Sequence, residues 1–389
     1  MAAGDFTMTA LAPVLYSAAQ TVSAEPAKSL DAVTLDFNDK GVAVGDTVYV
    51  PYTGANAVAA FTPAATAPFG AAATASSIAV TISASSKDSW TVSGEQEQSL
   101  INGGNEAEWF RLKAANAMRS LRNAAAAACT LAIKKGASRA TGTAGTTPFA
   151  SDLTALTAAN KIVMDNGAPM IDLQLVCNTD AYTNMLNLPI INQAMLAGSA
   201  DERRRGIVLP QYGCTVRVDN NIVAHTKGTA TGLDVTSAGA AVGDTTIPME
   251  GSDSGTVLAG DVVTFAGGTT DSNKYVVADA TQTVSGAASG NMIINRNGVR
   301  IVKVTADEAT IGANYTGSYV LEKSAVIGIM RPPKIPVGGQ IIATMPISDQ
   351  FGLTYLLVKI VNYGAITYEI HLAYGFKAVQ CEHIATILG

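Results

Sequence analysis

The chain is short of charge. Asp, Glu, Lys and Arg make up 14% of its 389 residues, against about 25% in an ordinary soluble domain. The usual solvating coat cannot cover the whole exterior, so much of that exterior is expected to touch other protein. The charge that is present has the wrong sign for gripping nucleic acid. Twenty-five Lys and Arg face 31 Asp and Glu, a formal net charge of −6, whereas phosphate binding needs a cationic excess. Long apolar runs are missing too: residues 325–330 stop at Arg331, and 355–361 contain Lys359. Both fall far below the roughly 18 to 20 apolar residues that span a bilayer, and no membrane partner is expected.

Groups that do chemistry are equally sparse. The three histidines, His225, His371 and His383, have no second ligand at a spacing that recurs in metal sites, and each reads as a structural histidine. Cys129, Cys177, Cys214 and Cys381 lie far apart, as small buried hydrophobes in a reducing compartment rather than redox or zinc pairs. Gly251-Ser252-Asp253-Ser254-Gly255 has Asp where a nucleophile elbow carries Ser. The stretch from Asp36 to Gly41 opens like a calcium loop, but Lys40 and Thr47 stand where carboxylates are needed. There is no phosphate-cradling GxxxxGK and no GxGxxG after a strand. The chain is therefore read as not an enzyme, with no catalytic, metal or cofactor-binding residues.

At about 150 residues per domain the length suggests two or three folded units. Residues 1–31 hold an apolar segment, 11–19, broken by Pro13 and followed by Pro26; this suits a docking arm better than a core element. Asp5 stands where a secretory signal would carry positive charge, leaving export as the lesser alternative. Residues 32–93 carry strand signals at 33–35, 47–50, 78–82 and 90–92. Between the second and third lie residues 53–77, rich in Ala, Thr, Gly and Pro. So long a connection predicts a projecting two-stranded flap.

Residues 94–150 contain the clearest helix, 106–135. Gly103-Gly104 precede it, Asn105 and Glu108 suggest a capping box, and Lys134-Lys135-Gly136 supply a cationic end and a stop. At 1.5 Å per residue it is about 45 Å long, more spine than core helix. Leu112 and Leu121 point to opposite sides of it, so both sides could be covered. Arg111, Arg119 and Arg122 fall on one face by helical spacing. They could form a phosphate-binding face, but on an otherwise uncharged helix carboxylate partners across a subunit contact are the stronger reading. Residues 151–224 look α/β, with helices over 151–165 and 180–188 and strands over 173–177 and 214–218. Within them Asp201, Glu202, Arg203, Arg204 and Arg205 form a mixed charge run, expected in a solvated or inter-subunit loop.

From 225 to 324 the composition shifts to Gly, Thr, Val and Asp, with strand-length runs at 245–247, 261–265, 274–277, 292–294 and 299–304. That predicts a small inserted all-β domain. Between Thr226 and Ser324 there are 6 basic and 10 acidic residues, −4 of the total −6, so this part is expected to face water. Residues 325–389 return to strands, expected to complete the sheet begun before the insertion.

In this order the segments resemble the major capsid (coat) proteins of tailed bacteriophages with the Hong Kong 97-like fold, and more narrowly those of short-tailed Salmonella-type phages that carry an insertion domain. The resemblance rests on Val44-Gly45-Asp46-Thr47-Val48-Tyr49-Val50 entering the loop, and on Val80-Thr81-Ile82 and Trp90-Thr91-Val92 returning from it. Leu258-Ala259-Gly260-Asp261-Val262-Val263-Thr264-Phe265-Ala266-Gly267 resembles the insertion-domain signature, and Ala373-Tyr374-Gly375 with Ile387-Leu388-Gly389 the closing segment. It implies an α+β fold with amino-terminal arm, extended β loop, spine helix, peripheral and axial domains, and an inserted β-barrel-like domain. The implied function is assembly of an icosahedral shell enclosing phage DNA. The implied partners are the chain itself in hexamers and pentamers, a scaffolding protein and portal during assembly, DNA touched only non-specifically, and a decoration protein where one is present. The implied location is the virion, after the host cytoplasm. The rival class is an exported β-rich surface-layer or adhesin subunit, which would lose an amino-terminal segment and lack a helix as long as 106–135.

Overall fold

A computed structural model of the chain describes all residues except 1–7, 24, 26, 38–42, 53–62, 64–75, 193–207, 209, 252–254, 268–270, 279–281, 285–289, 306 and 349–352. The expected charge run at 201–205 and most of the flap connection at 53–77 lie outside the described residues.

The first element corrects the sequence reading. Helix α1, Met8–Ser23, runs through Pro13 instead of being broken there, and its apolar face joins the core. Leu11, Leu15, Ala18, Ala19 and Val22 follow helical spacing and are all buried. Pro13 lies on the exposed side, where it forfeits a backbone bond without disturbing the buried stripe.

Strand β1, Thr34–Phe37, precedes the hairpin strands β2, Thr47–Tyr52, and β3, Ser76–Thr81, and then β4, Ala84–Ser93. Helix α2, Gly94–Gly103, lies outside the expected elements although its capping signal is legible in the sequence. Ser93 accepts from the Gln96 amide and its own amide donates to the Gln96 side chain, a complete capping box. Helix α3 spans Glu106–Gly136, 31 residues, matching expectation in extent. It lacks the expected capping box: Asn105 makes no side-chain cap bond, and Glu108 binds Arg111 instead. Leu121 is buried and Leu112 half-exposed, so the two leucines do lie on differently covered sides.

The α/β part follows as β5, Arg139–Gly142; α4, Thr154–Asp165; β6, Leu173–Cys177; α5, Thr179–Asn187; α6, Pro189–Asn192; and β7, Cys214–Val218. All five residues of β6 are buried, as its continuous apolar run demands. The β-rich segment contributes β8, Leu233–Val235; β9, Thr246–Gly251; β10, Gly255–Val257; β11, Val262–Ala266; β12, Lys274–Val276; β13, Gln282–Val284; β14, Gly290–Ile293; and β15, Glu308–Ile311. The strand expected at 299–304 does not form. Asn297 and Gly298 take positive φ, and Lys303 turns inward to a buried carboxylate, leaving one isolated bridge to Ala240. The remaining strands are β16, Ser318–Glu322; β17, Val326–Arg331; β18, Ile341–Ser348; β19, Thr354–Asn362; β20, Ala365–Ala378; and β21, Ile384–Leu388.

Two large sheets result among the described residues. One is six-stranded, in the order β1-β17-β20-β19-β18 with β4 also on β20; helix α3 packs on it with α1 alongside. The other runs β14-β9-β8-β15-β11-β12-β5-β21-β16-β6-β7, so the β-rich segment and the α/β part share one sheet. Of the closing strands, β21 lies between β5 and β16, while β17 pairs with β1 and β20 with β4, and β19 and β18 follow on β20. Both sheets that the closing strands enter therefore contain strands that precede the β-rich segment, as the sequence leads one to expect. The chain enters and leaves the β-rich segment side by side, where His225 and Tyr315 exchange backbone bonds of 2.7 and 3.2 Å.

Candidate functional site

The three arginines of α3 each find partners within the chain. Arg111 forks onto Glu108 one turn away, at 2.9 and 2.6 Å. Arg119 forks onto Glu25 at 2.6 and 2.5 Å and also holds Asn116. Its hydrogen bond keeps the Glu25 carboxyl below the usual range against the opposing pull of burial. Arg122, 3% exposed, donates to the carbonyls of Val22, Glu25 and Ala27 at 2.6, 3.3 and 3.4 Å. Carbonyls at a helix end have no partner inside the helix, and Arg122 supplies one to the last turn of α1 and to the chain just beyond it. The helical spacing did place these arginines on one face; Glu25 is 94 residues from Arg119, and no local pattern announces it.

The hairpin of β2 and β3 stands outside both large sheets. Its inner residues Val48, Val50, Ile78 and Val80 pack with Ile82 against Ile327, Ile329, Ala373 and Val379, while Tyr49 on the other face is 67% exposed. It is anchored at both ends of its paired strands. The Arg296 guanidinium lies 4.2 Å from the Tyr52 ring centroid and donates to the Val379 carbonyl at 2.7 Å. At Gly375 the hairpin comes so close that a Cβ would lie 2.1 Å from the Thr81 carbonyl oxygen, which only glycine permits.

The β-rich segment is built round a buried ion pair. Lys303 Nζ is 2.6 Å from Asp271 Oδ2, which also accepts from Tyr275 Oη at 2.7 Å, and Phe265 lies 4.7 Å under the ammonium. Burial pushes the Asp271 carboxyl up, but hydrogen bonds from Lys303, Asn273 and Tyr275 together hold it below its ordinary value. At the neck, His225 Nε2 meets Asp261 Oδ1 at 2.8 Å, and Asp261 accepts from the amides of Gly228 and Leu258. His371 Nε2 lies 3.0 Å from Glu369, and His383 is 4.0 Å from Glu322.

Burial pushes the thiols of Cys177 and Cys214 up to about 12 and about 11, which keeps them protonated and unreactive. Among the described residues no three His, Cys, Asp or Glu side chains converge as a metal site would require, and no helix is long and apolar enough to cross a membrane. What the described surface offers is contact area: a hairpin with an outward tyrosine, a long helix with Leu112 uncovered, and exposed Met164, Met170 and Ile171 beside β6.

No family model and no curated protein matches the chain. Among solved structures, it is similar to one from Mycobacterium phage Che8 over 88% of this chain and 84% of that one, at 12% identity and a TM-score of 0.48. It is similar to the capsid structure of the cyanophage P-SCSP1u over 92% and 86% of the two chains, at 11% identity and a TM-score of 0.48. It is also similar to the crystal structure of a virus-like particle from Pyrococcus furiosus over 97% and 98%, at 8% identity and a TM-score of 0.42.

Proposed function

We propose that the chain is the major capsid protein of a tailed bacteriophage, a structural subunit that packs against copies of itself to close an icosahedral shell round phage DNA. One observation carries this reading. A 31-residue helix serves as a rod flanked by α1 and the six-stranded sheet, and the hairpin of β2 and β3 lies outside both large sheets among the described residues with Tyr49 turned outward. A body of this kind, with little surface charge and several separate projections, is suited to many simultaneous contacts rather than to one binding pocket. Interfaces between proteins are depleted of charged residues at their centres.

Shell subunits make heterologous contacts round five-membered and six-membered rings. A single contact of millimolar strength is worth about 4 kcal/mol and is readily undone; several made together hold a subunit in place. Such a shell corrects early errors and then persists. The same reading gives the chain a Hong Kong 97-like fold, a place in the virion after assembly in the host cytoplasm, and scaffolding protein, portal and loosely held DNA as partners. Arg111 and the run from Asp201 to Arg205 remain candidates for contacts between subunits. The surface-layer or adhesin alternative predicts no helix as long as α3, which counts against it. Electron microscopy of the purified chain is the test: closed shells of uniform diameter are expected, and flat arrays, filaments or lone monomers under all conditions would overturn the reading.

A further inference from the structure

A cleft of about 480 Å³ opens between the turn after α1, strand β1 and the side of α3, a volume in the usual range for binding sites. Its floor is apolar: Leu30, Val33 and Leu353 are at most 3% exposed, and Leu35 completes the wall. Among the described residues three cations, Arg122, Arg217 and Lys323, line it against one carboxylate, Asp31.

These cations are incompletely partnered. Arg217 Nε donates to Gln174 at 3.1 Å, but its Nη1 is 3.9 Å from Asp31, beyond hydrogen-bond reach. Asp31 is divided with Lys28, at 3.8 Å. Lys323 uses its main chain, its amide donating to the Asp172 carbonyl and its carbonyl accepting from Thr34 Oγ1; among the described residues its ammonium has no ion pair. Buried Arg122 keeps an Nε–H with no acceptor. The cleft therefore holds two more positive charges than negative ones over a dry apolar floor, in a chain whose net charge is −6.

We propose that this cleft is a docking site for an acidic peptide segment of a partner protein, with carboxylates meeting Arg217 and Lys323 and neighbouring apolar side chains seated on Leu30, Val33 and Leu353. The mixed lining selects the class. Free phosphate would gain nothing from the apolar floor. Duplex DNA presents its phosphates on a stiff convex rod that a cleft of this size does not admit, and the chain's net charge repels it. A carboxylate on an apolar backbone satisfies both parts of the site. The inference goes beyond the shell reading and does not depend on it.

The test uses the full-length chain before assembly and a short fluorescein-labelled Glu-Leu-Glu-Leu peptide followed by fluorescence anisotropy. Saturable binding is expected, weakened by salt and weakened about tenfold by Lys323→Glu, with no binding of the matching Gln-Leu-Gln-Leu peptide. Lys323 is partly exposed, and thermal unfolding of the variant verifies that it folds. Absence of saturable binding, equal binding of the uncharged peptide, or unchanged affinity in Lys323→Glu would overturn the proposal. So would displacement by a DNA duplex at lower concentration than by unlabelled peptide. Shell formation is scored separately, so the two proposals fail independently.

Discussion

The ammonium of Lys303 sits 2.6 Å from a carboxylate oxygen of Asp271, with neither side chain exposed to solvent. Removing one member strands the other in a dry interior, which costs about 3–5 kcal/mol. Lys303→Ala is expected to lose that much in urea unfolding, whereas Asp271→Leu with Lys303→Met should recover most of it, because an apolar pair of similar volume needs no compensation. The Asp271 carboxyl is held below its ordinary value, so its contribution is full above the unfolded pKa of about 4 and lost as pH falls through the folded value. The parent should weaken in acid more steeply than the double variant.

Arg122 and Arg119 both hold the end of α1, but not equally. The Arg119–Glu25 pair is partly exposed, at 38% and 31%, and such pairs contribute up to about 1 kcal/mol. Arg122 is buried on three carbonyls, and losing several buried hydrogen bonds costs about 1–3 kcal/mol or more. Arg122→Met should therefore unfold at distinctly lower urea than Arg119→Met. A larger loss in Arg119→Met would mean that the carbonyls, not the carboxylate, have other partners.

Gly375→Ala tests whether the hairpin is seated. The added methyl must push Thr81 away, and overpacking of this kind costs about 1–3 kcal/mol. Hydrogen exchange should quicken in Thr47–Tyr52 and Ser76–Thr81 while the six-stranded sheet keeps its protection. Unchanged exchange in those strands would show that the hairpin does not lie on Gly375 in solution.

Deleting residues 54–77 removes the connection and the first two residues of β3. A folded, soluble monomer that does not close shells is expected, since β2 and β3 belong to neither large sheet among the described residues. Sedimentation and electron microscopy decide it; particles of normal size would refute the flap's role.

The sequence made some of this legible and hid the rest for identifiable reasons. The helix over 106–136 could be read because thirty residues pass without Pro, with Gly only at the borders. Helix α1 is hidden because Pro13 interrupts the local pattern, although Leu11, Leu15, Ala18, Ala19 and Val22 form a buried helical stripe. The expected strand at 299–304 failed because alternation of Val and Ile says nothing about a lysine drawn inward by a carboxylate 32 residues away. Strand β16 is hidden because Ser318–Glu322 sits in turn-rich surroundings, yet it lies between β6 and β21 in the α/β part of the sheet. The partners of Arg119, Arg122 and Lys303 are tertiary facts, and no spacing rule reaches across such separations.

The joint between the β-rich segment and the rest of the second sheet has only two registered pairs, Lys274 with Ala140 and Tyr275 with Arg139. Side-chain bonds from Asn295 to the Lys135 and Ala137 carbonyls brace it. The β11–β12 and β8–β15 ladders are equally short, and Arg139 to Asn273 and Arg300 to Asn166 add further bonds across this joint. A load applied to the β-rich segment is therefore passed on through side chains as well as backbone into the ground beneath it, so the outer lobe and its support respond as one continuous sheet.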